Sequence, residues 1–207
     1  MTEYRGLILE RTRAGATDLA ITQLEASLGA RLPEDYRQFL KTCNGACVEY
    51  DVIATLANGD KELLSFSLYG LEPGAEYESN PFELEQLRAE PGFPATGLLP
   101  IGRDGGASLL LLDLREGRQD VAAMVAGLPA WTGRRQQGDE YVVLASSFTG
   151  YLDSLHLSHE RIEEHINHFI ISPDTVEATL EWLDKGSPGW RERYRAQWNA
   201  RVADRSI

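Results

Sequence analysis

Cysteine is nearly absent, no apolar run is long, and the signature motifs of nucleotide and hydrolase chemistry are missing. With only Cys43 and Cys47, one internal disulfide at most can form, which excludes a disulfide-stapled secreted framework and makes a reduced compartment the simpler expectation. Cys43 falls on the apolar stripe of an expected helix, so both thiols are read as inert packing groups. No stretch approaches the roughly 20 apolar residues of a membrane-spanning helix. The first residues, with Glu3 and Arg5, lack the apolar core of a secretory signal, and a cytoplasmic location is expected. Gly-x-x-x-x-Gly-Lys-Ser/Thr, Gly-x-Gly-x-x-Gly after a strand, and Gly-x-Ser-x-Gly do not occur. Without a phosphate loop, a dinucleotide turn or a nucleophile elbow, neither an enzyme nor a bound cofactor is expected.

Positive charge is also scarce, with 20 Lys and Arg against 32 Asp and Glu for a formal net charge of -12. Its distribution is uneven. From Lys185 onward, Lys185, Arg191, Arg193, Arg195, Arg201 and Arg205 face Glu192 and Asp204, a net +4 that leaves -16 on the 184 residues before them. Such a field repels nucleic acid and speeds encounter with a basic partner, within a screening length of about 8 Å at physiological salt. The densest acidic stretch runs from Glu72 to Glu90 and contains one cation, Arg88. Within it Glu72, Glu76, Glu78, Glu83 and Glu85, with Tyr77 as an aromatic anchor, are the candidate partner-binding residues.

Other candidate chemistry dissolves on inspection of spacing. The four histidines, His156, His159, His165 and His168, cluster without the His-Glu-x-x-His spacing or a cysteine group, and no metal site is expected. Asp153, Ser154 and His156 are neighbours in sequence, but a helix places Asp153 and Ser154 on different faces. Asp104-Gly105-Gly106 reads as a hairpin turn rather than an anion cradle.

What is present is periodicity. Ile21, Leu24 and Leu28 mark a helix over Thr17 to Leu28 with Thr17 as N-cap and Gly29 as its stop. Tyr36, Phe39, Leu40 and Cys43 mark a second over Pro33 to Cys43, closed by Asn44-Gly45, residues that tolerate positive φ. An edge strand is expected over Tyr4 to Glu10, a hairpin from Val48 to Leu56 and Glu62 to Tyr69 around Asn58-Gly59, and a short helix near Phe82 to Leu87. Leu98 to Gly102 and Leu109 to Leu114 form a second hairpin, followed by strands Val121 to Val125 and Tyr141 to Ala145 and a helix from Ser146 to Leu157. Further helices are expected over Ser158 to Phe169, from Pro173 to Leu183 and from Pro188 to Val202. Trp190, Tyr194 and Trp198 form an aromatic row on the last of these. The fold class is α+β, a mainly antiparallel sheet with one covered face and helices at both chain ends packed on it.

The pattern Ile-x-x-Leu-Glu-x-x-Leu-Gly-x-x-Leu-Pro-Glu-Asp-Tyr-x-x-Phe-Leu-x-x-x-Asn-Gly from Ile21 to Gly45 resembles the opening of the SUKH superfamily, the SMI/KNR-like domains. Leu99-Pro100-Ile101-Gly102 with the run Leu109 to Leu114 and its Asp113 is similar to the family's central strand pair. Val142 to Phe148 with Tyr151, Leu152 and Leu155 is similar to its closing strand and helix. Ala107-Ser108 departs from the polar, glycine-containing turn more usual there. The resemblance covers roughly Ile21 to Leu155 and implies a non-enzymatic binding role; the expected organisation is a domain over residues 1–157 with a helical extension over 158–207, outside the resemblance, packed on it. Bacterial members of this kind look like immunity proteins that neutralise a cognate polymorphic toxin, such as a nuclease, by stoichiometric binding. Fungal relatives imply the alternative, a regulatory scaffold with no toxin.

Overall fold

The computed structural model describes residues 2–71, 97–128, 130–132 and 138–204. Strands β1 (Thr2–Tyr4) and β2 (Leu7–Glu10) form a hairpin, and β2 continues the pairing to β3 (Cys47–Val48). The expected single edge strand is thus two strands, because Arg5 and Gly6 both take positive φ and reverse the chain. Helix α1 (Asp18–Leu28) starts where the Thr17 side chain accepts the Ala20 N–H and ends at left-handed Gly29. Helix α2 (Glu34–Thr42) follows, with Pro33 at its N-cap rather than inside its first turn.

The expected hairpin over Val48 to Tyr69 is shorter than its apolar runs. Strands β4 (Val52–Thr55) and β5 (Lys61–Leu64) pair around the Asn58-Gly59 turn, with Val52 opposite Leu64 and Thr55 opposite Lys61. The flanks pair elsewhere: Cys47–Val48 with β2, and β6 (Ser67–Leu68) with β7 (Leu98–Arg103). Strands β7, β8 (Leu109–Asp113), β9 (Asp120–Val125) and β10 (Glu140–Ala145) complete an antiparallel sheet in the order β10-β9-β8-β7-β6. A bridge between Ala46 and Leu68 ties it to the first sheet. Leu110 and Leu112 enter the main core, while Leu111 and Ala122 are buried on the opposite face. Both faces around β8 are therefore covered, where one was expected. Four consecutive leucines are the pattern of a strand with no solvent face.

Helix α3 (Phe148–Ser154) is capped by Ser147 and stops before Leu157, because His156 leaves the helix to pair its backbone with Asp51. The segment expected as one helix over Ser158 to Phe169 is α4 (His159–Glu164) followed by a wide π turn over His165–Phe169. Helix α5 (Pro173–Gly186) opens with a Ser172 and Thr175 capping box, and α6 (Trp190–Asp204) ends the described chain. Phe148 packs on Tyr36 and Phe39 with ring centroids 4.9 and 5.1 Å away, joining α3 to α2. The core is continuous from Leu9 and Phe39 to Trp182, Trp190, Tyr194 and Trp198, so the aromatic row of the tail faces inward.

Candidate interaction surface

Glu72, Glu76, Tyr77, Glu78, Glu83 and Glu85, the residues singled out by charge, lie outside the described residues, as does the expected helix near Phe82 to Leu87. The chain on either side of them is held tightly. Asn44, 2% exposed, donates from Nδ2 to the Ala14 carbonyl at 3.0 Å and accepts the Leu71 N–H on Oδ1 at 2.8 Å. The Tyr69 N–H donates to the Ile101 carbonyl, and the Leu114 N–H to the Gly97 carbonyl at 2.7 Å. Asn44 and Gly45 take the expected positive φ, 45° and 96°. A Cβ on Gly70 would stand 2.3 Å from the Asn44 carbonyl oxygen, and one on Gly45 would stand 2.8 Å from the Gly70 nitrogen. The Asn-Gly turn therefore clamps the point from which the acidic stretch departs. Gly70→Ala is expected to destabilise the fold by about 2 kcal/mol, the range of core overpacking. Urea unfolding checks this, and a loss below about 0.5 kcal/mol would show that the clamp yields freely.

A second feature lies at the end of β8. Asp113 is fully buried and receives the Arg115 guanidinium in a two-pronged contact, Nε to Oδ1 at 2.9 Å and Nη2 to Oδ2 at 2.7 Å. The Arg115 backbone N–H and the Tyr141 hydroxyl also donate to it, at 3.0 and 2.8 Å, and Arg118 approaches to 3.8 Å. Arg115 hydrogen bonding, foremost, holds the Asp113 carboxyl well below the usual carboxylate range. Burial, then the Asp113 carboxylate, pushes the Tyr141 phenol up to about 12, so the hydroxyl keeps donating. Every acceptor is occupied by the chain itself, which makes this cluster a brace between the end of β8, the turn that follows it and β10.

The histidines do not converge. His156 Nδ1 lies 3.4 Å from its own Ser154 carbonyl, His159 Nδ1 lies 2.6 Å from the Tyr194 hydroxyl, and His168 is exposed. Among the described residues no three His, Cys, Asp or Glu side chains are grouped to hold a metal. Asp153 pairs with Arg5, and Ser154 donates to the Tyr151 carbonyl, so Asp153, Ser154 and His156 make no relay. In the Asp104 turn the Asp104 carboxylate itself accepts the Gly106 and Ser108 N–H groups. Ser108, the departure from the expected turn, is buried and accepts the Ala126 N–H.

Where α4, the π turn and α5 meet the first sheet, polar groups that sequence reasoning missed come together. Asp51, 3% exposed, accepts Arg161 Nη2 at 2.9 Å and the Ser158 N–H at 3.3 Å, while Arg161 Nη1 reaches Glu49 at 3.2 Å. Beside this seam opens a cavity of about 250 Å³, lined among others by Glu10, Glu49, His165, Phe169, Thr179 and Trp182. The His165 ring stacks on Trp182 and Phe169, with centroids 3.9 and 4.4 Å apart. Neither His165 Nε2 nor Trp182 Nε1 has a hydrogen-bond partner. The His165 ring and then the Arg161 guanidinium hold the Glu49 carboxyl below its ordinary value against burial. At 3.8 Å, His165 Nε2 and Glu49 Oε2 are in electrostatic contact rather than hydrogen bonded. His165 is one of the clustered histidines; nothing in a linear reading pairs it or Trp182 with Glu10 and Glu49.

No helix among the described residues is long and apolar enough to cross a membrane. No curated protein matches the chain significantly. The SMI1 / KNR4 family model (SUKH-1) does match, over residues 15–154, which takes in α1, α2, the five-stranded sheet and α3. The motifs from Ile21 to Gly45, the β7 and β8 pair with its buried Asp113, and the closing strand with α3 all fall within the matched span, and the chain belongs to the SMI1 / KNR4 family (SUKH-1).

Proposed function

We propose that the chain is an immunity protein that binds a cognate polymorphic toxin, possessing basic residues, and blocks it by stoichiometric association. The family match over residues 15–154 carries this reading, because membership is consistent with a generally non-enzymatic protein of immunity type. The charge distribution supports it: a net -12 suits a basic protein as target and disfavours nucleic acid. On this reading Glu72, Glu76, Glu78, Glu83 and Glu85 steer the encounter and Tyr77 slows dissociation. The Asn44 clamp beside Leu71 holds the base of that stretch to the fold, which limits the entropy lost when a partner is engaged.

Recovery of the bound partner from the native cell tests the reading directly. The expected partner is a basic toxin whose activity falls to zero at a one-to-one ratio. Recovery of signalling enzymes and no toxin would replace this reading with that of a regulatory scaffold. With the toxin in hand, the association rate is expected to fall steeply with salt and to drop about tenfold or more when the five glutamates are changed to glutamine. A rate independent of salt would remove the electrostatic part of the proposal.

A further inference from the structure

Of the nine residues lining the cavity beside Glu49, only Glu49 itself lies within the family-matched span 15–154. The rest come from β2, the π turn and α5, which lie outside that span. We propose that the cavity receives a single arginine side chain presented by a protein partner. This rests on the reading of the chain as a binder of basic proteins and assigns one contact within it.

Size, charge and shape each narrow the occupant. At about 250 Å³ the cavity falls below the roughly 300–1,000 Å³ of pockets that take free small molecules, and accommodates one side chain. Glu10 is exposed at the end of β2 and forms no ion pair among the described residues. Glu49 shares Arg161 with Asp51 and is only partly neutralised, so the two carboxylates of the lining, Glu10 and Glu49, remain to attract positive charge. A neutral apolar guest would strip water from the partly exposed Glu49 carboxylate and return nothing. A guanidinium returns a partner to that carboxylate through its N–H groups, and its plane suits the face of an aromatic ring. Phe169, His165 and Trp182 form a stack of nearly parallel rings, at 17° and 21°, that covers both faces of His165 and leaves Phe169, 50% exposed, as the outer ring available to such a plane. An ammonium carries the charge without the plane, which favours arginine over lysine. The Trp182 indole N–H is a donor that this guest leaves unused.

The test uses the full-length chain labelled with ¹⁵N and follows the Trp182 indole N–H resonance, assigned with Trp182→Phe. The probes are a capped glycine-arginine-glycine tripeptide, its citrulline counterpart and free arginine. Saturable displacement by the arginine peptide in the millimolar range is expected, with citrulline at least about tenfold weaker. Glu10→Gln is expected to weaken binding several-fold, and Ala178→Leu, on the cavity wall, to abolish it. No saturable shift with the arginine peptide, or equal binding of citrulline, overturns the assignment. Free arginine binding tighter than the capped peptide overturns a protein source for the guest. Should Ala178→Leu fail to fold, Glu10→Gln, at an exposed strand end, decides alone: unchanged affinity overturns the assignment. A peptide site with no basic toxin recovered from the cell sustains the cavity and retires the toxin. A toxin bound with unchanged affinity by folded Ala178→Leu and by Glu10→Gln retires the cavity and leaves the toxin.

Discussion

Arg115→Ala is expected to cost about 3 to 5 kcal/mol of folding stability near pH 7, the penalty for stranding a buried charge. Asp113 has no solvent exposure, and removal of Arg115 leaves it the Tyr141 hydroxyl, a backbone N–H and Arg118 at 3.8 Å. The sign of the pH dependence follows from the depressed Asp113 carboxyl. A group whose folded pKa is lowered contributes stability in full above its unfolded value, about 3.9 for aspartate, and loses that contribution as pH falls through the folded value. In the variant the largest influence that lowers the pKa is gone, the Tyr141 hydroxyl and a backbone N–H stay, and burial remains, so Asp113 takes up a proton at higher pH than in the wild type and the stranded charge is relieved in acid. The gap between wild type and Arg115→Ala is therefore expected to shrink by about half or more between roughly pH 7 and pH 3. Urea unfolding at the two pH values measures it. An unchanged gap would mean that Arg115 acts through packing over the Tyr141 ring, 5.4 Å from its guanidinium carbon, and not through Asp113.

Trp182→Ala is expected to cost about 3 to 5 kcal/mol as well, the range for truncating a buried tryptophan. Trp182 is 6% exposed and packs on His165 and on Tyr50, whose hydroxyl accepts the Ile8 N–H at 3.1 Å. Its loss therefore opens a void shared by α5, the π turn and the first sheet. Because the core is continuous across this seam, unfolding followed by far-ultraviolet dichroism and by tryptophan fluorescence is expected to show one transition, moved to lower denaturant. Two separated transitions would mean that the helical extension unfolds on its own. Trp131→Ala is the control: at 85% exposure its effect is expected to stay within about 0.5 kcal/mol.

Local chemistry made part of the fold legible. Helix α1 was read to within a residue because its cap, stripe and stop are all present in one short segment: Thr17, Ile21 and Gly29. The β7 and β8 pair was equally plain, since a run of leucines next to Asp104-Gly105-Gly106 leaves few other conformations. The hairpin at β1 and β2 was missed because Arg5 holds a positive φ that an arginine rarely adopts, and no glycine or asparagine marks that first position. The run Val48 to Leu56 was read as one strand because β propensity does not say which partner each residue finds. Cys47–Val48 goes to β2 and Val52–Thr55 to β5. The π turn at His165–Phe169 carries an ordinary helical pattern and departs from it where His165 packs on both Phe169 and Trp182.

The candidate site divides along the same line. Charge along the chain pointed to the Glu72 to Glu85 stretch and to a basic partner, and those residues stand outside the described structure. The cavity was invisible in one dimension: Glu10, Glu49, His165 and Trp182 come from four separate segments and share no spacing. The sequence by itself settled what depends on neighbours within about a dozen residues: helix caps, the Asn44-Gly45 turn, the leucine strand, the acidic balance and the family motif. Tertiary structure alone decided which carboxylate meets which cation, that Asn44 clamps Leu71, that Asp113 is a brace, and that the tail aromatics face inward. Short-range steric and hydrogen-bond preferences are written residue by residue. Contacts such as Asp51 with Arg161 are set by how whole apolar faces close on one another, and only the packed chain specifies that.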